Sequence, residues 1–263
     1  MTENTNSKFP SEADVVIVGV GGIVGSMIAY WLSELGQKNI VGLEKSSVIP
    51  SDIASTAHAS DFVYNTTHDK LGCWTTAYSR KFYEDNGFFL KKGGLEICRK
   101  GDDARWEELK RKVGSGKAFG TNVRLISAAE AKEKFPLLDE ESLMGAMWDP
   151  DAGLVIPRSQ DVVSFAVESA KDKGALKTFT DTPAIDFEVV NGRVTGVKTD
   201  KGFIKADKVV ICSGIWGPLM GKKAGVPVPL MPLEHPLLFF GPLPEAQGAE
   251  DFLAVSYTHL TLP

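Results

Sequence analysis

The sequence predicts an α/β fold: a domain built on a parallel sheet with crossover helices, carrying an α+β insertion with a mixed sheet. Three observations predict it. A short all-apolar run enters a glycine cluster, that cluster opens an amphipathic helix, and a second apolar run ends at an acid. A less regular middle region then separates this opening from a later apolar run that meets another small-residue loop.

In chain order, the polar leader 1–13 gives way to Val15-Val16-Ile17-Val18 and then to Gly19, Gly21, Gly22 and Gly25. An all-apolar strand suits the inside of a parallel sheet, where helices cover both faces. From Val24 the apolar positions Met27, Ile28, Trp31, Leu32 and Leu35 keep helical spacing, and Gly36 supplies a C-terminal stop. Ile40 to Leu43 form the next strand, followed at once by Glu44 and Lys45. A helix is expected between His68 and Asn86, and paired strands from Phe88 to Cys98, broken at Gly93-Gly94. Asp102 or Asp103 would cap a helix bearing Trp106, Leu109 and Val113. Ser127 and Glu130 have the spacing of a capping box before a short helix that ends ahead of Pro136. Pro157 and Ser159 precede an amphipathic run through Val162, Phe165, Ala166, Ser169 and Ala170. Asn191-Gly192 tolerates the positive φ angles of a type I′ turn, which predicts a hairpin from Val189 to Val194. A second turn at Asp200-Lys201-Gly202 extends it through Phe203-Ile204 into a small meander. The strand from Val209 to Cys212 then runs into Ser213-Gly214. This order divides the chain into first-domain parts at 14–89 and 149–232, an inserted-domain part at 90–148, and a start of return to it at 233–255.

Composition excludes some functions. With 29 basic and 34 acidic residues the formal charge is -5, so no cationic surface invites nucleic acid. No run of 18 apolar residues is free of charges or breakers, which argues against a membrane span. The leader fits neither a secretory h-region nor an arginine-rich transit peptide. Cys73, Cys98 and Cys212 lack CxxC spacing, and their odd number suits reduced, structural thiols. The expectation is a soluble, cytoplasmic protein. The histidines form no metal constellation with these cysteines, and no HExxH, GxSxG or P-loop occurs, so metal, serine-hydrolase and NTPase chemistry are not expected. Lys110-Arg111-Lys112, beside Glu107 and Glu108, reads as the solvated face of a helix.

The glycine cluster carries the first positive signal. Missing side chains let a backbone approach a pyrophosphate, and the following helix offers N–H groups and the positive end of its dipole. Counting the regular spacing from Gly19 puts Val24 at the third glycine position; counting from Val20 loses the first glycine. One extra residue in the turn would reconcile the two. Glu44 stands at the end of the second strand, where a carboxylate can accept bonds from both ribose hydroxyls and disfavour a 2′-phosphate. This pattern does not choose between FAD and NAD. The inserted middle and the strand-loop Val209 to Trp216 favour the longer flavin molecule. A soluble NAD-dependent dehydrogenase, or a non-catalytic FAD-binding or interaction protein, remains open at this point.

Further motifs bring a family into view. Ser55-Thr56-Ala57-His58-Ala59, Gly93-Gly94-Leu95-Glu96-Ile97, Asp149-Pro150-Asp151-Ala152-Gly153 and Cys212-Ser213-Gly214-Ile215-Trp216-Gly217 join the N-terminal turn. Together they resemble the flavoprotein amine oxidoreductases of the D-amino-acid-oxidase superfamily, in particular the dimethylglycine/sarcosine oxidase and dehydrogenase group. The resemblance runs from about Asp14 to Gly241. It implies a Rossmann-like FAD-binding domain with an inserted mixed-sheet substrate domain, incomplete at the C-terminus. It implies FAD attached covalently through His58, with Ser55, Thr56, Lys45, Ser213, Gly214 and Trp216 around the cofactor. His235, in Leu233-Glu234-His235-Pro236, matches an active-site histidine whose near-neutral pKa suits substrate orientation and proton management. The reaction implied is oxidation of a secondary or tertiary N-methyl amine, such as dimethylglycine or sarcosine, by hydride transfer to flavin N5. The iminium product would be hydrolysed with release of formaldehyde, or passed to a folate-linked C-terminal module of the full-length protein. The ending 256–263 departs from the family pattern and resembles translated sequencing-adapter sequence, which implies a truncated gene product with a non-native tail. Tyr257 therefore inherits no catalytic role.

Overall fold

The computed structural model describes residues 9–233 and 254–256. The chain forms two compact units, Met1–Ala59 with Arg158–Leu237, and Ser60–Pro157 with Leu238–Pro263. In the first, β1 (Glu12–Val18) leads through the glycine loop into α1 (Ile23–Glu34) and β2 (Ile40–Leu43). The second opens with β3 (Phe62–Val63), α2 (Lys70–Asp85), β4 (Phe89–Lys91), β5 (Gly94–Arg99) and α3 (Asp103–Ala118). It continues with β6 (Arg124–Ile126), α4 (Ala128–Lys134), β7 (Leu143–Asp149) and β8 (Gly153–Val155). The chain returns to the first unit with α5 (Ser159–Asp172), β9 (Leu176–Phe179), β10 (Ala184–Val190), β11 (Arg193–Thr199), β12 (Gly202–Ile211) and α6 (Gly217–Lys223). Finally β13 (Ala254–Ser256) joins the second unit.

The first unit is a six-stranded sheet in the order β10-β11-β12-β1-β2-β9, parallel from β12 to β9. Side chains alternate across a strand, and β1 buries both sets. Val15 and Ile17 pack with Ala29 of α1 and with Val163, Val167 and Ala170 of α5. Val16 and Val18 pack on the opposite side with Phe187, Val197, Ile204 and Met220. That two-sided burial explains the unbroken apolar run; each such side chain contributes about 1.5–3 kcal/mol. Asn191 and Gly192 take φ angles of 51° and 76°, closing the β10–β11 hairpin with Val190 opposite Arg193. Phe203-Ile204 and the run from Val209 belong to one continuous strand: β12 is antiparallel to β11 over its first half and parallel to β1 along most of its length.

The division between the units differs from the one expected at 89/90 and 148/149. Residues 60–89 lie in the second unit because β3 and β4 both pair with β8 in an antiparallel three-stranded sheet. β4 and β5 are accordingly not partners. β5 pairs antiparallel with β7 in the four-stranded sheet β13-β5-β7-β6, and its other neighbour is the parallel strand β13. Within the first unit, Arg158 Nη2 donates to Ala59 O at 3.2 Å, holding together the points where the chain leaves and re-enters.

Helix ends in the second unit follow their caps. Asp102 Oδ1 accepts from Arg105 N at 3.1 Å, and Ser127 Oγ accepts from Glu130 N at 3.1 Å. The basic triplet on α3 is not uniformly solvated. Lys110 pairs with Glu107 on the exposed side, but Lys112 is buried against Glu96 at 2.5 Å. Arg105 lies two turns earlier on the same face and reaches the other oxygen of Glu96 at 2.9 Å. The correction has a simple cause: β5 places a carboxylate under that face.

Asp149, at the end of β7, is buried and accepts backbone bonds from Asn65 at 2.9 Å and Asp151 at 3.0 Å. Burial pushes its pKa above the ordinary 3.8, more than those two bonds pull it down. The folded state then holds a proton that the unfolded chain has released, so the neutral form's stabilisation is present at low pH and lost as pH rises through the raised value. Urea midpoints measured upward from about pH 4 are expected to fall for the native chain relative to Asp149→Asn. Parallel pH profiles for the two proteins would refute this account of Asp149. Among the described residues no helix is long and apolar enough to cross a membrane, and Cys73, Cys98 and Cys212 are all free thiols.

Candidate functional site

Parallel neighbours β1 and β12 bring their C-terminal ends side by side, and the loops leaving them meet. Gly19 has φ +90°, and a Cβ there would stand 2.5 Å from Cys212 O. Gly25 sits so close to the loop that a Cβ would lie 2.1 Å from Gly19 O. At Gly22 the nearest atom to such a Cβ is Ala54 Cβ at 3.6 Å, an ordinary contact. Close approach is therefore demanded at Gly19, Gly21 and Gly25, a spacing one residue longer than the regular dinucleotide turn, while Gly22 is the N-cap of α1. Open α/β sheets bind ligands outside the carboxyl ends of their strands, and this loop pair lies there.

Glu44 follows β2 and is only 5% exposed. Its Oε2 accepts from Gly21 N at 2.9 Å, and its Oε1 accepts from Ser46 N at 2.9 Å and Ser51 Oγ at 3.1 Å. A carboxylate offers about four lone-pair sites, so these bonds leave room for about one further donor. That is one ribose hydroxyl, where the sequence suggested two. The same bonds fix the carboxylate before any ligand arrives. Ser46 Oγ is in turn held by Asp52 at 2.5 Å.

Ser213 follows Cys212 beside Gly19, and its buried Oγ has no hydrogen-bond partner among the described residues. A buried hydroxyl left unsatisfied costs about 1–3 kcal/mol. A polar ligand group at the loop pair would remove that cost. Gly214, at φ +50°, opens a 3-10 turn to Trp216, and Lys45 Nζ lies 4.6 Å from the Trp216 ring centroid. Burial raises the Cys212 thiol pKa, which suits a structural rather than a nucleophilic cysteine.

Ser55 and His58 bound a second 3-10 turn, with His58 exposed at its C-terminal end. Thr56 in the same turn accepts from Ile23 N at 3.0 Å and so caps α1, whose own N-cap Gly22 has no side chain to do it. The structure thus brings Gly19, Gly21, Gly22, Gly25, Glu44, Ser55, Thr56, His58, Lys45, Ser213, Gly214 and Trp216 into the first unit. His235 lies outside the described residues. Sequence reasoning missed Ser46, Ser51 and Arg158, which support Glu44 and the His58 turn; serines are too common in loops for spacing to flag them.

In the second unit, an open cavity is lined by Phe62, Tyr64 and Thr67 together with Thr75, Ser79 and Tyr83 of α2. The described residues lining it include no Asp, Glu, Lys, Arg or His.

The family of FAD dependent oxidoreductases (DAO) matches residues 14–260. Mitochondrial sarcosine dehydrogenase of Homo sapiens is 29% identical over 253 residues, covering 89% of this chain and 26% of that protein. A mitochondrial pyruvate dehydrogenase phosphatase regulatory subunit of Mus musculus is 31% identical over 236 residues, covering 86% of this chain and 26% of that protein. Among solved structures, L-proline dehydrogenase from P. horikoshii superposes with a TM-score of 0.73 at 30% identity, covering 83% of this chain and 57% of that one. This chain therefore spans about a quarter of the length of those two curated relatives.

Proposed function

The chain belongs to the FAD dependent oxidoreductase family, and on that premise we propose that it forms the FAD-holding part of an enzyme oxidising a secondary or tertiary N-methyl amine. The observation that carries the cofactor site is the convergence of the glycine loop, the prefixed Glu44 carboxylate and the Ser213 hydroxyl, unpartnered among the described residues, at the carboxyl ends of the inner strands β12, β1 and β2. These groups suit FAD in kind. A pyrophosphate would face the backbone of the glycine loop and the N-terminus of α1. Glu44 would accept a ribose hydroxyl, and Ser213 Oγ would donate to a polar group of the cofactor. FAD supplies the two-electron acceptor, taking a hydride equivalent from the carbon beside the amine nitrogen. The protein's part is placement and proton handling. His58 would hold the cofactor covalently, and His235 would orient the substrate and manage its amine proton. Similarity to sarcosine dehydrogenase supports the N-methyl amine class. The free thiols favour a reducing compartment such as the cytoplasm. A folate-linked module in the full-length protein would take the one-carbon product.

The regulatory subunit among the relatives favours a second reading, a flavin-binding protein without turnover. One experiment separates the two. Protein purified without added cofactor is expected to be yellow, and anaerobic sarcosine or dimethylglycine is expected to bleach its flavin band. Retained colour that neither amine bleaches would support the non-catalytic reading; a colourless, folded protein would remove both.

A further inference from the structure

The turn that carries His58 is short, and among the described residues the histidine side chain has no hydrogen-bond or ionic partner. Its placement therefore comes from the backbone of the turn. Two bonds from outside tie that backbone down. Thr56 Oγ1 accepts from Ile23 N at the first residue of α1, across 33 residues of sequence, and Arg158 Nη2 donates to Ala59 O just after the histidine. Inside the turn, Ala57 N bonds Ala54 O and Ala59 N bonds Thr56 O. Thr56 also lies against the N-cap, with its Oγ1 3.7 Å from where a Gly22 Cβ would be.

From this geometry we infer that Thr56 is a positioning residue: by capping α1 it locks the His58 turn to the helix whose N-terminus faces the cofactor. The inference rests on the proposed covalent role of His58. In that step an imidazole nitrogen of His58 loses its proton and bonds a methyl carbon of the bound flavin, which loses one hydrogen as a proton. The bonding change leaves two electrons in the ring, and dioxygen removes them together with the two protons as hydrogen peroxide. Such bond formation needs the imidazole held at attacking distance and angle, so a loosened turn slows it steeply.

The test compares the 263-residue chain with Thr56→Val, which keeps the shape and removes the acceptor, and with Thr56→Ser, which restores it. Each is incubated aerobically with excess FAD. Flavin that survives acid precipitation is mapped by peptide mass, and removable flavin and thermal midpoint are measured alongside. His58→Ala should yield only removable flavin. Compared at FAD concentrations that saturate the removable complex of each protein, Thr56→Val is expected to form the acid-stable adduct about tenfold or more slowly, the rate equivalent of a barrier increase of about 1.4 kcal/mol. Thr56→Ser should recover most of the rate. Attachment by Thr56→Val at the native rate would overturn the inference while leaving His58 as the attachment point. Loss of removable FAD or of the fold in Thr56→Val, without recovery in Thr56→Ser, would also overturn it. Removable flavin alone in the native chain would instead remove the covalent reading on which the inference stands.

Discussion

Gly25→Ala is expected to cost about 3 kcal/mol of stability, at the upper end of overpacking effects, and to weaken FAD retention about tenfold or more. The added methyl would meet Gly19 O at 2.1 Å and Val20 Cα at 2.9 Å, and both are backbone atoms that no rotamer change can move. Relief requires lifting the first turn of α1 away from the end of β1. That movement displaces the N–H groups facing the loop, and it pulls on Ile23, whose N–H is bonded to Thr56. Gly22→Ala is the matched control, because its methyl would meet nothing closer than 3.6 Å. It should fold normally, so a loss of FAD confined to that variant would report close approach by the ligand itself. Denaturant midpoints and equilibrium dialysis with FAD measure the two effects. Equal stability of the two variants would show that the loop accommodates a side chain where the geometry forbids one.

Glu96→Ala is expected to destabilise the second unit by about 3–5 kcal/mol, the usual cost of removing one member of a buried ion pair. Glu96, Arg105 and Lys112 are each about 7% exposed. Arg105 would keep Glu108 at 2.8 Å, but Lys112 would keep the Tyr64 ring, 4.8 Å from its nitrogen, and the charge of Glu108 without a direct carboxylate bond. A buried ammonium that loses its bonded carboxylate is poorly compensated. Replacing all three charges by apolar residues of similar size should recover most of the loss, because burying ions carries its own penalty. Guanidinium unfolding followed by far-ultraviolet dichroism tests both variants. A cost below about 1 kcal/mol for Glu96→Ala would mean that solvent reaches these cations.

Local pattern made the first unit legible. β1, α1 and β2 follow from one apolar run, one helical period and one acid, and the Asn191-Gly192 hairpin from two residues that accept positive φ. The second unit was harder. β3 has two residues, β6 and β8 three each, and such strands are too short to establish an alternation. Their pairing is set by distant partners, so residues 60–89 joined a sheet that no local signal announced. The same reason hid the burial of Lys112, since its counter-charge comes from another strand. At the candidate site, Glu44 and the glycines could be read from spacing. The bonds from Ser46 and Ser51 that use up most of the Glu44 acceptor sites could not, and neither could the cap that Thr56 lends to α1.

Because β12 runs unbroken from the hairpin to Cys212, its alignment with β1 and its alignment with β11 are a single mechanical variable. A one-residue slip at Gly202 would travel the length of the strand, carry Ser213 about 3.3 Å past Gly19 and turn Ile204 out of the core. Loop lengths on the solvent side of this hairpin are thereby coupled to the candidate cofactor site at the far end of the strand.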